Sequence, residues 1–133
     1  MELKRKNTTA SGIISVRRLA GSFGHAFNGL RRVMCREQNM RIHLLVALCT
    51  AVAGYCFRIS AAEWTAIGLA TGGVLAAETF NTSIEALSDT LSPEYSEKIK
   101  QVKDLAAGAV LLVALAAAAT GLIIFLPKLI ALC

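Results

Sequence analysis

Apolar and polar positions alternate along this chain in two ways, first at helical spacing and then in long uninterrupted runs. From about Ser11 to Arg36, the apolar residues Ile14, Leu19, Phe23, Phe27, Leu30 and Met34 recur three to five apart, with arginines between them. That pattern predicts an amphipathic helix lying in a membrane interface, with Gly21, Gly24 and Gly29 permitting bends. Residues 42–57 form a sixteen-residue uncharged run, short for a membrane span, with Arg41 and Arg58 placed to snorkel to the two interfaces. A polar connection to Glu63 leads to Trp64, an interfacial anchor type, and to a second helix predicted over about 64–90. Such a helix is ~40 Å long against ~30 Å of hydrocarbon, so its last turns leave the bilayer. Leu91, Ser92 and Pro93 break it, and a polar connection runs through Lys98, Lys100 and Lys103. A third helix is predicted over about 104–126, opened by Lys103 and Asp104, with Asp104 a candidate cap, and ended by Pro127 and Lys128.

The expected fold is therefore an all-α integral membrane protein: one N-terminal surface helix and three transmembrane helices. Residues 11–133 form one domain behind a disordered basic tail, 1–10. The hydrophobic content of 55% exceeds that of soluble domains. No signal peptide is evident, because residues 1–36 lack a continuous apolar core before a cleavage-type site. A net charge of +5 would allow nucleic acid as a partner, but nine of the fourteen Lys and Arg lie between Lys4 and Arg41, just before the first apolar run. That placement fits anionic headgroups and puts the N-terminus on the cytoplasmic side of the membrane, with no role for nucleic acid. Cys35, Cys49, Cys56 and Cys133 form no CxxC pair, which argues against zinc or disulfides. Cys49 and Cys56, seven apart, are expected as small packing residues on one helix face. Close helix packing is likewise expected of Gly68, Gly72, Gly73, Ala76, Ala77, Ala114, Ala117 and Ala118.

Candidate chemistry concentrates at the end of the second long helix. Glu78, Asn81, Glu85 and Asp89 are offset by three, seven and eleven residues, which puts them on one narrow stripe of a helix. Carboxylates near hydrocarbon cost several kcal/mol each unless paired, metal-bound or wet, so something cationic is expected opposite them. Carboxylates that ligate a hard cation, with a lysine such as Lys103 across a short loop, are the parts needed to hold a magnesium nucleotide. No GxxxxGK[ST] loop is present, so such a site is of an uncommon kind. The same residues would serve a proton-coupled transporter, and the short spans and basic flank would suit a small scaffold protein. In the plainer reading Glu37 and Arg41 are an i, i+4 pair, His43 is an interfacial histidine, and Arg17, Arg18, Arg31 and Arg32 bind headgroups.

The segments Glu78-x-x-Asn81-Thr82-Ser83-Ile84-Glu85 with Asp89, Lys103-Asp104 followed by Ala106 to Val110, Glu37-x-Asn39-x-x-x-His43 and Phe23-x-His25 together resemble the prokaryotic diacylglycerol kinase and undecaprenol kinase family. The resemblance covers roughly residues 18–129. It implies a homotrimeric lipid kinase that uses ATP with Mg2+. Undecaprenol is the favoured alcohol, since the Asn39 and His43 spacing, Glu63-Trp64 and the GLIIFLPKL ending are more similar to the Gram-positive branch. Diacylglycerol is the alternative. Resemblance would make Glu78 the general base with Asn81 beside it, and Glu37 and Glu85 ligands of metal and nucleotide. Lys103 would contact the phosphoryl groups, Asp104 and Asp89 would support the nucleotide, and Arg18 would face it. Asn39 and His43 stand with Glu78 as candidate contacts to the lipid. Ser83, Ser88 and Lys100 depart from the family's usual residues without removing any of these side chains.

Overall fold

The computed structural model describes residues 16–92, 94 and 96–132, and within them the secondary structure is helical throughout. Four helices follow one another: α1 (Val16–Arg36), α2 (Gln38–Cys56), α3 (Ala61–Leu91) and α4 (Glu97–Ile130). The expected tail 1–10 and the first turn of the surface helix lie outside the described residues. α1 runs unbroken through Gly21, Gly24 and Gly29, leaves Leu19, Phe23, Phe27, Leu30 and Met34 exposed, and buries Val33 against the bundle. Arg36 in its last turn complements the helix dipole. One extended residue, Glu37 (φ −91°, ψ 124°), separates it from α2.

α2 begins four residues before the expected span. It meets α3 through Met40, His43, Ala47, Thr50 and Gly54, spaced three and four apart, of which Met40 and Gly54 are buried. Cys49 and Cys56 are exposed and free, which corrects the expectation that they pack. Their face of α2 is turned away from α3. Gly54 is where the packing is tightest, since a Cβ there would lie 2.9 Å from Cη2 of Trp64. The turn to α3 places Arg58 at φ 50°, a left-handed conformation costing of order 1–3 kcal/mol in a residue other than glycine. It is closed by Ile59 N donating to Gly54 O at 3.1 Å.

A capping box starts α3: Ser60 N donates to Glu63 Oε2 at 2.7 Å, and Glu63 N donates to Ser60 Oγ at 3.3 Å. Beside it, Ile59, Ile67 and Ile124 form the apolar core with Phe57, Ala66 and Phe125, and the Phe57 and Phe125 rings stand 6.1 Å apart. Lys128 Nζ donates to Glu63 Oε1 at 2.8 Å, pinning the end of α4 to the start of α3. The helix therefore continues past Pro127, which costs one backbone bond in the final turns. At the opposite end α4 starts at Glu97, seven residues before the expected 104, with Ser96 as N-cap. Asp104 is thus not a cap. It lies two turns inside the helix, paired with Lys100 at 2.8 Å.

α3 and α4 are the most extensively packed pair, antiparallel throughout. Gly73 allows close approach, since its Cβ would meet Val113 at 3.3 Å, whereas Gly68, Gly72 and Ala76 are exposed on the single chain. Most large apolar side chains are exposed too: Leu111, Leu112, Leu115, Leu122 and Ile123 on α4 are each more than half exposed. Such a surface suits lipid or further helices rather than water. α2 and α4 are long and apolar enough to cross a membrane. α3 has the length, with 31 residues, but its polar stripe and glycines dilute its apolar character. α4, with 34 residues, is about 51 Å long, so its polar first turns extend beyond a hydrocarbon layer of about 30 Å.

Candidate functional site

The buried face of α3 consists of Ile67, Val74, Glu78, Asn81 and Ser88. The spacing continues one stripe that is apolar near the α2–α3 turn and polar near the α3–α4 turn. Glu78 is 2% exposed, and among the described residues no side chain hydrogen-bonds or ion-pairs with it. Asn81 Nδ2 donates to Glu85 Oε1 at 3.1 Å. A carboxylate only accepts, so this bond fixes the amide orientation and leaves Asn81 Oδ1 buried with no partner. An orphaned buried acceptor costs about 1–3 kcal/mol. Stable folding gives no reason to keep it, and a site awaiting a ligand does.

Toward the α3–α4 turn the stripe opens. Glu85 is half-buried, Asp89 is exposed, and Lys103 Nζ reaches across from α4 to donate to Asp89 Oδ1 at 2.9 Å. Lys103 stands in the polar turns that precede the apolar length of α4. Its hydrogen bond to Asp89 raises its pKa, partial desolvation works against this, and the charges of Asp89 and Glu85 reinforce it. The ammonium is thus held protonated between two carboxylates of α3. A recess of about 340 Å3 lies here, lined by Asp89, Ser92, Glu94, Lys100, Lys103 and Asp104 among others. Two lysines and the hydroxyls of Ser92 and Ser96 at one mouth can meet phosphate oxygens, and the carboxylates of Asp89, Glu94 and Asp104 beside them call for a cation to accompany such a ligand.

The other expected residues are placed around this centre. Glu37 is half-buried at the α1–α2 junction, and no ion pair with Arg41 forms, although Arg41 N donates to the Glu37 carbonyl at 3.3 Å. No hydrogen bond or ion pair joins Glu37 to the stripe. Asn39 is exposed, and His43 lines a cavity between α2, α3 and α4. Arg18 is exposed on α1. Along the stripe that begins at Glu78, Asn81 is therefore bonded to Glu85 and Asp89 to Lys103, Asp104 is turned toward Lys100, and no hydrogen bond or ion pair joins Glu37 or Arg18 to these residues. Sequence reasoning missed Met40, 2% exposed, and the burial of Ser88. The signal for Ser88 is its sevenfold spacing with Ile67, Val74 and Asn81.

The donors offered to a metal are all oxygens: the Glu78 and Glu85 carboxylates, the free Asn81 Oδ1 and Glu37. Hard divalent cations take such ligands. Among the described residues no three or more His, Cys, Asp or Glu converge as a closed metal cage. The residues present fit a cation that keeps water and phosphate as its remaining ligands, as Mg2+ does beside nucleotides.

The sequence profile described as prokaryotic diacylglycerol kinase matches residues 24–125, which spans the whole stripe and Lys103 but not Arg18. The undecaprenol kinase of Bacillus subtilis (strain 168) is 37% identical over 108 residues, covering 81% of this chain and 88% of the relative. The diacylglycerol kinase of Synechocystis sp. (strain ATCC 27184 / PCC 6803 / Kazusa) is 34% identical over 112 residues, covering 84% of this chain and 64% of that protein. Together with helices suited to a bilayer, these matches make the chain a membrane-associated lipid kinase, an enzyme that takes its phosphoryl group from ATP. The chain belongs to the prokaryotic diacylglycerol kinase family, and of these two relatives it is more similar to the undecaprenol kinase.

Proposed function

We propose that the chain phosphorylates undecaprenol, forming undecaprenyl phosphate from ATP accompanied by Mg2+. The observation that carries the reading is Glu78, a buried carboxylate without a partner among the described residues, one turn from the orphaned Asn81 Oδ1 and on the same stripe as Asp89, which lines the polar recess. The lipid hydroxyl loses its proton to Glu78 as its oxygen attacks the γ-phosphorus. The bond to the bridging oxygen breaks, and ADP leaves. Asn81 holds Glu85 and presents its free oxygen, while Glu85 and Glu37 accompany the metal and phosphates. Lys103, with Asp89 behind it, neutralises charge that develops on the transferred group. Asp104 and Arg18 support the nucleotide, and Asn39 and His43 contact the lipid. The bound Mg2+ supplies charge neutralisation on the phosphates.

This reading includes three spans, α2, α3 and α4, the active site and N-terminus on the cytoplasmic face of a bacterial inner membrane, and a homotrimer. The excess of basic residues before α2 and in the first turns of α4 supports the orientation. The exposed small residues Gly68, Gly72 and Ala76 support close packing of α3 against another copy.

The test is transfer from labelled ATP by purified protein in mixed micelles, comparing undecaprenol with diacylglycerol at matched mole fraction, with magnesium present or chelated. Magnesium-dependent transfer chiefly to undecaprenol is expected. Transfer chiefly to diacylglycerol would assign the substrate of the Synechocystis relative instead, and transfer that survives chelation would remove the metal from the account.

A further inference from the structure

Between α2, α3 and α4 lies a cavity of about 280 Å3, separate from the polar recess. Its wall includes His43, Thr71, Val74, Leu75, Ala117 and Gly121, and is otherwise almost entirely aliphatic. Val74 and Leu75 precede Glu78 by a single helical turn, and Thr71 by two turns, so the cavity leads away from the buried carboxylate along the apolar part of α3. The Thr50 hydroxyl in this wall is spent on its own helix, donating to Val46 O at 2.8 Å. The cavity is partly open at the bundle surface, and its largely apolar wall suits hydrocarbon better than ordered water.

We infer that this cavity holds the hydrocarbon chain of the lipid alcohol being phosphorylated, a single chain threaded between the three helices, and that Gly121 determines how far it enters. The inference rests on the lipid-kinase reading. Its ground is continuity: a substrate whose hydroxyl reaches Glu78 from within the bilayer must lay its chain on the apolar side of that residue, and the cavity begins there. Gly121 is the position that controls depth, because a Cβ built on it meets nothing within 4 Å. A side chain there starts in open space at the cavity wall and takes up room that a hydrocarbon chain would use. Ala117, one turn nearer to Glu78 on α4, narrows the same passage.

The test compares wild type, Gly121→Ala, Gly121→Leu and Ala119→Leu, each as the full chain in mixed micelles, with undecaprenol and with the short prenol geraniol as acceptors. Ala119 is exposed and outside the cavity wall, so it controls for added bulk on α4. Gly121→Leu is expected to raise the apparent KM for undecaprenol at least tenfold, about 1.4 kcal/mol, with a smaller rise for geraniol and none for ATP. Gly121→Ala should show a lesser rise in the same direction, and Ala119→Leu none. Unchanged KM for undecaprenol in both Gly121 variants would mean that a structural lipid or a neighbouring copy fills the cavity, and would overturn the inference. An equal rise in Ala119→Leu would overturn it too. Absence of transfer to either alcohol by folded wild type is a different failure, one that removes the lipid-kinase reading and the inference with it.

Discussion

The two ends of the α3–α4 pair are built on opposite principles. Near the α2–α3 turn, the buried-side polar groups are paired: Glu63 completes the capping box and receives Lys128, while Ile59, Ile67, Ile124 and two phenylalanines pack beside them. Toward the α3–α4 turn, Glu78 and the Asn81 Oδ1 are buried without partners among the described residues, and Asp89 and Lys103 are paired only at the surface. The first arrangement holds helices in place. The second keeps capacity for a ligand, at a cost in stability that the first end offsets. Function and stability are thereby separated by most of the length of α3.

The comparison can be broken at either end. The largest effect is expected from Glu78→Gln, which keeps the shape of the side chain and removes the base. kcat should fall by about 10²–10⁴, measured by labelled phosphoryl transfer, with helicity by circular dichroism unchanged. Lys103→Met should lower kcat/KM for ATP by about 10- to 100-fold, matching the loss of one charge-assisted hydrogen bond of ~1.5–3 kcal/mol, while the KM for the lipid stays near wild type.

At the packed end the readouts exchange places. Gly54→Ala forces a Cβ to 2.9 Å from the Trp64 ring, so thermal unfolding should show a loss of about 1–3 kcal/mol and folded protein should still turn over. The smallest effect belongs to Glu63, whose pKa is lowered from 4.5 to about 2, first by the hydrogen bond from Lys128 and then by those from Ser60. A depressed carboxylate contributes stability above its unfolded pKa and loses it as pH falls through the folded value. Wild type should therefore lose stability as pH drops from about 4.5 toward 2, and Glu63→Gln should show a shallower acid slope with activity at neutral pH retained.

The stripe was legible because its polar residues interrupt an apolar segment, and offsets of three, seven and eleven allow only one helical face. The partner of each group was less so. Lys103 and Asp89 are close in sequence and joined by a short turn, so their pairing could be anticipated, whereas Glu63 and Lys128 are 65 residues apart with no local signal linking them. α2 shows a different limit. It is apolar on all sides, as a helix between lipid and protein is, so its pattern did not reveal which face meets α3, and the face shared by Cys49 and Cys56 is an exposed one. The early start of α4 was hidden by its own composition. Lys98, Lys100 and Lys103 read as a polar connection, yet they belong to helical turns beyond the apolar length, supported by the Lys100–Asp104 pair. Pro127 misled in the same way, since the Lys128–Glu63 contact carries the helix past it.

The most direct measurement is thermal unfolding of Glu78→Leu beside wild type in the same micelles, with phosphoryl transfer assayed on the same samples. A buried carboxylate kept for catalysis and lacking a structural partner should be replaceable by an apolar side chain without loss of stability. The expected result is a Tm at or above that of wild type with transfer abolished. A Tm that falls in step with activity would contradict this, by making Glu78 a structural partner whose loss removes function only through the fold.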